Sequence, residues 1–257
     1  MPLKICILHA NCQGDPLREL LLRHEGFSRE YAIHQFVNYT REFVDRDLLS
    51  RCDLFLHQHL GSKWGGLSSE SLREELPPRA KSLCIPNLFF KAYWPLWNSD
   101  PIINYSDLFL NHLVDRGLSK REIIHLYVHT DLTRFHDLDR LINQSLEQER
   151  AKEQFWDIPM VDRIWEGFRR ERLFNTVNHP NKILCLEVAN KVLQLLGFSS
   201  LAPGATKGWP EPFGEFELPI HPQVAKRLDL SFVDEDSTYN LYGASGTFVE
   251  YVNYYVE

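Results

Sequence analysis

The fold is decided by residues 4–23, KICILHANCQGDPLRELLLR, in which an apolar run, a polar turn and a helical stripe follow one another. The apolar run Lys4–Leu8 predicts a β-strand, and the polar stretch Asn11–Gly14 predicts a turn. Asp15 is expected to cap the next helix, with Pro16 at its first position, because a side-chain oxygen accepts an N–H there and proline has none to satisfy. A strand, a turn and a helix in this order are typical of the start of an α/β domain.

The same alternation continues to residue 86. Apolar runs of strand length are separated by segments with helical spacing, and Gly26 is the expected end of the first helix. The further predicted strands are Tyr31–Val37, Asp53–His57 and Ser82–Ile85, and the predicted helices between them are Thr40–Leu49 and Ser69–Leu76. Because strands that alternate with helices usually run parallel, residues 1–86 are predicted to form a small parallel sheet.

The pattern changes after Pro86. The segment Asn87–Pro101 is aromatic and irregular, and we predict an ordered loop because so many rings rarely stay solvated. Ser119 and Glu122 have the spacing of a capping box. The other predicted helices are Leu132–Arg150, Pro159–Arg172, Asn181–Leu196 and a short helix that begins at His221-Pro222. We expect one α/β domain, residues 1–257, in which the small parallel sheet of residues 1–86 is embedded in a mainly helical, cradle-like part, residues 87–257.

The composition excludes several classes of protein. The 257 residues are 44% hydrophobic and 25% charged, which are globular proportions, and a net charge of −7 does not favour nucleic acid as a partner. No apolar run of about eighteen residues is present, so no membrane span is expected, and the first residues lack the pattern of a secretory signal. The five cysteines are scattered without a C-x-x-C pair. A disulfide framework is therefore not expected, and a reducing cytoplasm fits.

The turn Asn11–Gly14 is the first candidate site. Ligands of open α/β sheets bind at the carboxyl ends of the strands, and a helix N-terminus attracts anions. We expect the helix dipole to lower the pKa of Cys12. The side-chain amides of Asn11 and Gln13, with the backbone N–H groups of residues 12–14, could donate to a developing oxyanion. The alternative is a polar turn that only caps a helix.

His179 is the second candidate. It precedes the predicted helix Asn181–Leu196, whose positive end should keep the imidazole neutral near pH 7. A neutral imidazole can act as a general base. A histidine that only caps or packs at the start of this helix is an equally good interpretation.

The end of the third predicted strand carries His57, Gln58 and His59. His57 and His59 share one face of the strand, but two imidazoles make a poor metal site, and no metal is expected. The alternative is that this strand end lines the same pocket as Cys12. The following loop, Gly61–Gly66, resembles a phosphate loop only in composition, because G-x-x-x-x-G-K-[ST], G-x-G-x-x-G and G-x-S-x-G are all absent.

The aromatic segment contains two further candidates. Its rings could form a wall for a flat ligand group, which would involve Tyr93, and Lys91 could contact a phosphate. Packing in the hydrophobic core is the alternative for the rings.

In sequence order, these features resemble the WcbI family of bacterial polysaccharide-biosynthesis proteins, which are proposed acetyltransferases that bind coenzyme A. Five places carry the resemblance and together extend from residue 4 to about residue 230. They are the first strand with Asn11-Cys12-Gln13, the segment from Ile85-Pro86-Asn87 to Tyr93-Trp94-Pro95, the stretch Leu110–Tyr127, the segment Thr176–Pro180 with the helix behind it, and Ile220-His221-Pro222.

The resemblance implies a deep pocket for coenzyme A or acetyl-coenzyme A and transfer of the acyl group to a sugar hydroxyl, in the biosynthesis of surface or capsular polysaccharide. Cys12 and Gln13 would line the reacting end of the pocket with His179 close by. The expected catalytic residues are Cys12, His179, Gln13 and Asn11. The expected coenzyme A contacts are Asn11, Cys12, Gln13, Gly14, His59, Lys91, Tyr93, Asn178 and His179.

Two other functions stay open at this point. The strand-to-helix turn with a late histidine also resembles esterases of the SGNH type, with Cys12 at the nucleophile position and Asn178 beside His179 in place of an Asp-x-x-His motif. The third alternative is a non-catalytic protein that binds coenzyme A or a sugar nucleotide. Whether Cys12 carries the acyl group or only lines the pocket also stays open. The acyl group, the acceptor sugar and the oligomeric state are not predicted.

Overall fold

In the computed structural model of the protein, the described residues are 2–100, 105–202 and 204–257. The chain separates into two compact units. The first unit contains residues up to 87, 152–160 and 182–212, and the second contains residues 88–151, 161–181 and 213–257. A single domain over residues 1–257 stays a prediction, and Pro101, the end of the predicted aromatic loop, lies outside the described residues.

The helices and strands follow in chain order. The helices are α1 (Gly14–Arg23), α2 (Glu25–Glu30), α3 (Arg46–Leu49), α4 (Ser69–Glu74), α5 (Leu108–Asp115), α6 (Lys120–His129), α7 (Leu138–Glu153), α8 (Val161–Gly167), α9 (Lys182–Leu195), α10 (Pro222–Leu228) and α11 (Phe248–Tyr255). The strands are β1 (Lys4–Ala10), β2 (Tyr31–Val37), β3 (Leu54–Gln58), β4 (Lys81–Ile85), β5 (Trp97–Asn98), β6 (Ser106–Asp107), β7 (Phe174–Thr176), β8 (His179–Pro180), β9 (Thr238–Leu241) and β10 (Ala244–Thr247). In the described parts of the chain, none of these helices is long and apolar enough to cross a membrane.

Strands β1 to β4 form one sheet in the order β2-β1-β3-β4, and every pair in it is parallel. Ile7 of β1 lies opposite His34 of β2 and Phe55 of β3, so the carboxyl ends of the strands share one edge. Ile7 and Phe55 pack with Leu72 of α4 in a buried apolar cluster, and α1 packs against α9. The α/β class and the small parallel sheet are therefore confirmed.

The start of α1 differs from the prediction. The helix begins at Gly14, and Gln13 precedes it without a side-chain capping bond. The Asp15 carboxylate accepts a hydrogen bond from Gln35 Nε2 of β2 at 2.7 Å, so it ties the helix to the sheet and does not cap it. Gly26 does not end the first helix either, because the His24 ring accepts the Phe27 N–H at 3.1 Å and starts α2.

The predicted helix Thr40–Leu49 is wrong over most of its length, since only Arg46–Leu49 is helical. Arg41 has a left-handed backbone, with φ of 56°, and Glu42 accepts the Val37 N–H at 2.7 Å. These contacts close a turn after β2. Asp45 then caps α3 by accepting two backbone N–H groups.

The second unit confirms the ordered aromatic segment. Phe90 and Tyr93 are fully buried. The centroid of the Phe90 ring lies 4.9 Å from that of Tyr93 and 5.5 Å from that of Phe168. The capping box of Ser119 and Glu122 is present at the start of α6.

Two of the predicted long helices are shorter. Residues 132–134 form a separate 3₁₀ turn before α7, and Asp137 accepts the Arg140 N–H at 3.0 Å. The helix predicted over Pro159–Arg172 is only α8, which ends at Gly167. The predicted helices Asn181–Leu196 and the one after His221 correspond closely to α9 and α10.

Candidate functional site

The turn between β1 and α1 lies at the carboxyl edge of the sheet. The Gly14 N–H donates to the Asn11 carbonyl at 2.8 Å, and the Asp15 N–H donates to the Cys12 carbonyl at 3.2 Å. The turn is therefore tight and places Cys12 at the N-terminus of α1, which is the position that the sequence predicts.

Gln58, the last residue of β3, is 1% exposed and fixes this turn. Its Oε1 accepts the Asn11 N–H at 2.8 Å and Asn38 Nδ2 at 3.1 Å. Its Nε2 donates to Asn11 Oδ1 at 3.1 Å and to the Pro86 carbonyl at 3.2 Å. The amide thus uses all of its hydrogen-bonding capacity on residues that follow β1, β2 and β4.

Asn11 has a structural role in the same network. Its Oδ1 also accepts the Gln13 backbone N–H at 2.9 Å, and its Nδ2 donates to Asn87 Oδ1 at 3.1 Å. The predicted set of oxyanion donors is therefore smaller, because the backbone N–H groups of Gln13 and Gly14 are already bonded. Among the described residues, no carbonyl accepts the Cys12 N–H, so this group is the backbone donor that remains at the turn.

The predicted lowering of the Cys12 pKa is wrong. Burial raises the pKa of this thiol to about 11, and the neighbouring Asp15 carboxylate acts in the same direction. The backbone N–H groups of Cys12 and Gln13 act in the opposite direction, but the loss of solvation outweighs them. Cys12 is therefore a neutral thiol near pH 7.

A segment from later in the chain joins the first unit beside this edge. Lys152 Nζ donates to the Asn87 carbonyl at 2.9 Å, and the Phe155 ring stacks on His59 with centroids 4.0 Å apart. The predicted contact residue His59 therefore presents an exposed imidazole against a phenyl ring. Lys152 and Phe155 are not among the predicted residues, since no local pattern links residues 152–160 to the sheet.

His179 lies in the second unit, at the start of β8. Its ring is stacked on Phe213, with centroids 4.2 Å apart and planes 9° apart. Burial lowers the pKa of His179 to about 4, although Glu215 acts in the opposite direction. The imidazole is therefore neutral at pH 7 as expected, but burial and not the helix terminus is the cause. Asn178, in the turn before it, accepts a hydrogen bond from the Thr176 hydroxyl at 3.2 Å.

Two predicted contact residues lie in the aromatic segment of the second unit, next to the hairpin that β7 and β8 form. The Phe90 N–H donates to the Val177 carbonyl at 2.7 Å, which joins the segment to β7 and β8. Burial lowers the pKa of Lys91, whose ammonium group lies 5.6 Å from the centre of the Trp97 ring. Within the described residues no carboxylate pairs with Lys91, so its charge is open to an anion.

Tyr93 does not fit the predicted coenzyme A contact. The residue is fully buried, and its hydroxyl donates to the carbonyls of Phe168 at 2.6 Å and Glu171 at 3.2 Å. These contacts leave no surface for a ligand, so Tyr93 is a core residue.

The structure brings the predicted residues together in two groups. Asn11, Cys12, Gln13, Gly14 and His59 belong to the first unit, and Lys91, Tyr93, Asn178 and His179 belong to the second. In the part of the chain that the structure describes, no three His, Cys, Asp or Glu side chains form a group that could hold a metal ion.

Comparison with known families identifies the chain. Residues 5–201 match the family described as polysaccharide biosynthesis enzyme WcbI. The chain belongs to the WcbI family. Comparison with curated protein sequences gives no significant match.

A solved structure of WcbI, described as a novel polysaccharide biosynthesis enzyme, has a similar fold. The TM-score is 0.80 at 19% sequence identity, over 98% of this chain and 88% of the WcbI chain. That structure is described as the native protein without a disulfide bond between coenzyme A and one of its cysteines. At this identity the similarity shows the WcbI fold, with its mixture of parallel sheet and helices.

Proposed function

We propose that this chain is an acyl-coenzyme A-dependent O-acyltransferase that transfers an acyl group, such as acetyl, to a sugar hydroxyl in surface or capsular polysaccharide biosynthesis. Membership in the WcbI family supports the polysaccharide context. The observation that carries the proposal is the rigid turn at Cys12, because it presents a neutral thiol at the N-terminus of α1 beside an N–H that no carbonyl of the described residues accepts. Negative charge that develops on a substrate is stabilised at such a position.

Coenzyme A is the proposed acyl carrier. The description of the WcbI structure refers to a disulfide bond between coenzyme A and a cysteine, and such a bond needs the two sulfur atoms next to each other. We assign that place to Cys12, because it is partly exposed, whereas Cys6, Cys52, Cys84 and Cys185 are buried. Of the other expected contacts, Asn11, Gln13, Gly14, His59, Asn178 and His179 are kept in the proposal. Lys91 is kept as the contact for a phosphate, and Tyr93 is removed.

In the proposed reaction the sugar hydroxyl attacks the thioester carbonyl. His179 takes the hydroxyl proton as a general base, and the coenzyme A thiolate leaves when the tetrahedral intermediate collapses. The Cys12 N–H and the Gln13 side-chain amide hold the oxyanion of that intermediate, with the second N–H of the Asn11 amide as a further donor. The proton passes from His179 to the leaving thiolate, so the enzyme returns to its starting state.

Direct transfer is favoured over an acyl-cysteine intermediate. A cysteine acts as a nucleophile in its thiolate form, and the pKa of about 11 leaves Cys12 protonated at neutral pH. The same property weakens the alternative of a cysteine esterase. Cys12 then serves as a pocket residue beside the thioester.

Binding is tested first by thermal denaturation with coenzyme A or acetyl-coenzyme A, with ADP and NAD as controls. A ligand at about 100 times its dissociation constant stabilises the folded protein by about 2.7 kcal/mol. We expect a dose-dependent rise in Tm with both coenzyme A forms that exceeds the rise with ADP or NAD. The same Tm with and without coenzyme A would contradict the proposal.

Transfer is tested by the movement of a radiolabelled acetyl group from acetyl-coenzyme A to oligosaccharide acceptors. We expect His179→Gln to lose the activity and to keep coenzyme A binding, because a glutamine amide can replace the imidazole as a polar contact but not as a base. The matched control is His125→Gln at an exposed position, which should keep both. Release of free acetate that does not depend on the acceptor would favour the esterase, and tight binding without turnover would favour a non-catalytic protein.

A further inference from the structure

The hairpin of β9 and β10 has a tyrosine in a strained turn. Leu241 lies opposite Ala244, so the turn consists of Tyr242 and Gly243 alone. Both have a positive φ, 56° for Tyr242 and 92° for Gly243. Turns of this kind favour Asn-Gly, because the left-handed region disfavours a large side chain at the first position. The conformation of the turn therefore gives no reason for a tyrosine at position 242.

The side chain of Tyr242 forms the outer layer of a three-ring stack. Phe216 lies in the middle, 4.7 Å from Tyr242 and 5.2 Å from Tyr105 between ring centroids. Tyr105 also has a left-handed backbone, with φ of 69°. Two of the three aromatic residues thus adopt an unfavourable conformation within one stack, and strain of this kind is concentrated at functional sites.

The stack is held firmly, and its outer ring is open. The Tyr242 N–H donates to the Glu215 carbonyl at 2.8 Å, and Phe216 pairs with Leu241 as an isolated antiparallel bridge. Phe216 is 7% exposed, whereas Tyr242 is 65% exposed. One face of the Tyr242 ring therefore rests on Phe216, and the other face is available to solvent.

Two polar side chains interact with the hydroxyl of this open ring. Burial raises the pKa of Tyr242, and Tyr254 and Glu215 raise it further. Both side chains therefore lie within electrostatic range of the Tyr242 hydroxyl. Tyr254 is 66% exposed. The surface formed by Tyr242, Tyr254 and Glu215 thus combines a flat apolar ring with a carboxylate and two phenol hydroxyls.

We propose that the surface formed by Tyr242, Tyr254 and Glu215 binds a pyranose ring of a glycan. The axial C–H bonds of a pyranose carry partial positive charge and suit the negative face of an aromatic ring. The sugar hydroxyls suit the carboxylate and the phenols as hydrogen-bond partners. The family's role in polysaccharide biosynthesis makes a carbohydrate the fitting ligand, and the carboxylate opposes a nucleic acid or another anion. This binding goes beyond the proposed acyl transfer, since it needs no coenzyme A.

The test is saturation-transfer NMR and calorimetric titration with cellohexaose, maltohexaose and β-1,4-mannohexaose, at millimolar concentrations and without coenzyme A. We expect at least one of these neutral hexasaccharides to bind. Tyr242→Ala should weaken that binding by about fivefold or more, and Tyr242→Trp should preserve it. Binding that is equal in the wild type and Tyr242→Ala, or no binding of any of the three, would overturn the proposal.

Tyr242→Asn separates a loss of binding from a loss of folding. Asparagine is favoured in the left-handed turn, so this variant should keep or raise the Tm, by up to about 3 °C, while it loses the hexasaccharide. A competing explanation is that Tyr242 contacts a second copy of the chain. A dimer in analytical ultracentrifugation that dissociates in Tyr242→Ala, with saccharide binding unchanged, would overturn the proposal in favour of that contact. Coenzyme A binding, measured in parallel, tests the acyltransferase separately.

Discussion

Asn11 and Gln58 exchange two hydrogen bonds, from the Asn11 N–H to Gln58 Oε1 at 2.8 Å and from Gln58 Nε2 to Asn11 Oδ1 at 3.1 Å. The pair joins the ends of the two central strands of the sheet. Because Gln58 also reaches Asn38 and Pro86, the loops after all four strands depend on one buried amide. The position of Cys12 is therefore set by residues that do not touch its thiol.

Gln58→Glu should destabilise the protein in a pH-dependent way. A carboxylate would place an oxygen against Asn11 Oδ1 and the Pro86 carbonyl and would bury a charge, at a cost of about 3 kcal/mol at pH 7. Burial should raise the pKa of the new carboxyl above its unfolded value. Stability is then fully present below the unfolded pKa and is lost as the pH rises through the folded pKa.

Urea denaturation of Gln58→Glu at pH 5 and pH 7 measures this effect. The control is Gln148→Glu, which makes the same chemical substitution at an exposed position of α7. A loss of stability in Gln58→Glu that is no larger than in the control at pH 7 would show that the amide is not needed.

The sheet could be predicted from the sequence, because each of its strands is a short apolar run that polar or turn-forming residues end on both sides. The position of Cys12 at the end of β1 followed from the same pattern. The helix Thr40–Leu49 could not be predicted correctly, since Arg41 adopts a left-handed backbone and Glu42 bonds to the end of β2. Such side-chain contacts compete with the helix and leave no periodic signal.

The chemistry of the candidate site depends on contacts between residues far apart in the chain. Gln58 and Asn87 reach Asn11 across 47 and 76 positions, and the sequence gives no sign of those bonds. The pKa of Cys12 was predicted in the wrong direction because a helix dipole is a local property, whereas burial depends on the packed structure. His179 is neutral near pH 7 as the sequence predicts, but the cause is burial of the ring and not the nearby helix terminus.

Cys12 should react slowly with alkylating agents below pH 10. With the pKa of its thiol at about 11, the thiolate fraction at pH 8 is about one in a thousand. The rate of alkylation by iodoacetamide, followed by mass spectrometry, should still rise between pH 9 and pH 10, whereas an ordinary thiol with a pKa of about 8.5 approaches a plateau there. Cys12→Ser identifies the reacting residue, since the other cysteines, Cys6, Cys52, Cys84 and Cys185, are buried. A plateau near pH 9 would contradict the raised pKa.

The activity should persist to low pH if His179 is the base. The pKa of about 4 keeps the imidazole unprotonated, so kcat/KM should be flat from pH 8 to about pH 5 and fall only below that. His179→Gln should lower kcat by about 10²- to 10⁴-fold with little change in coenzyme A affinity. An acid limb centred near pH 6.5, or a kcat that survives the substitution, would assign the proton transfer to another group.

His9 should make the protein less stable in mild acid. The residue is fully buried in β1, and neither ring nitrogen has a hydrogen-bond partner in the described part of the chain. Burial lowers the pKa of His9 from 6.5 to about 4, with Glu42 acting in the opposite direction. Because the unfolded state binds the proton first, stability is complete above about pH 6.5 and falls as the pH drops towards 4, by up to about 3 kcal/mol for this one residue.

His9→Leu should therefore flatten the dependence of Tm on pH between 7 and 4.5, since leucine has nothing to protonate and no nitrogen to leave unbonded. The control is His34→Leu, at a half-buried position of the neighbouring strand β2. His57 and His221, whose pKa values burial also lowers to about 4, will keep part of the slope in every variant. Parallel curves for the wild type and His9→Leu would mean that His9 accepts a proton in the folded protein as readily as in the unfolded chain, which requires solvent to reach β1 in the native state.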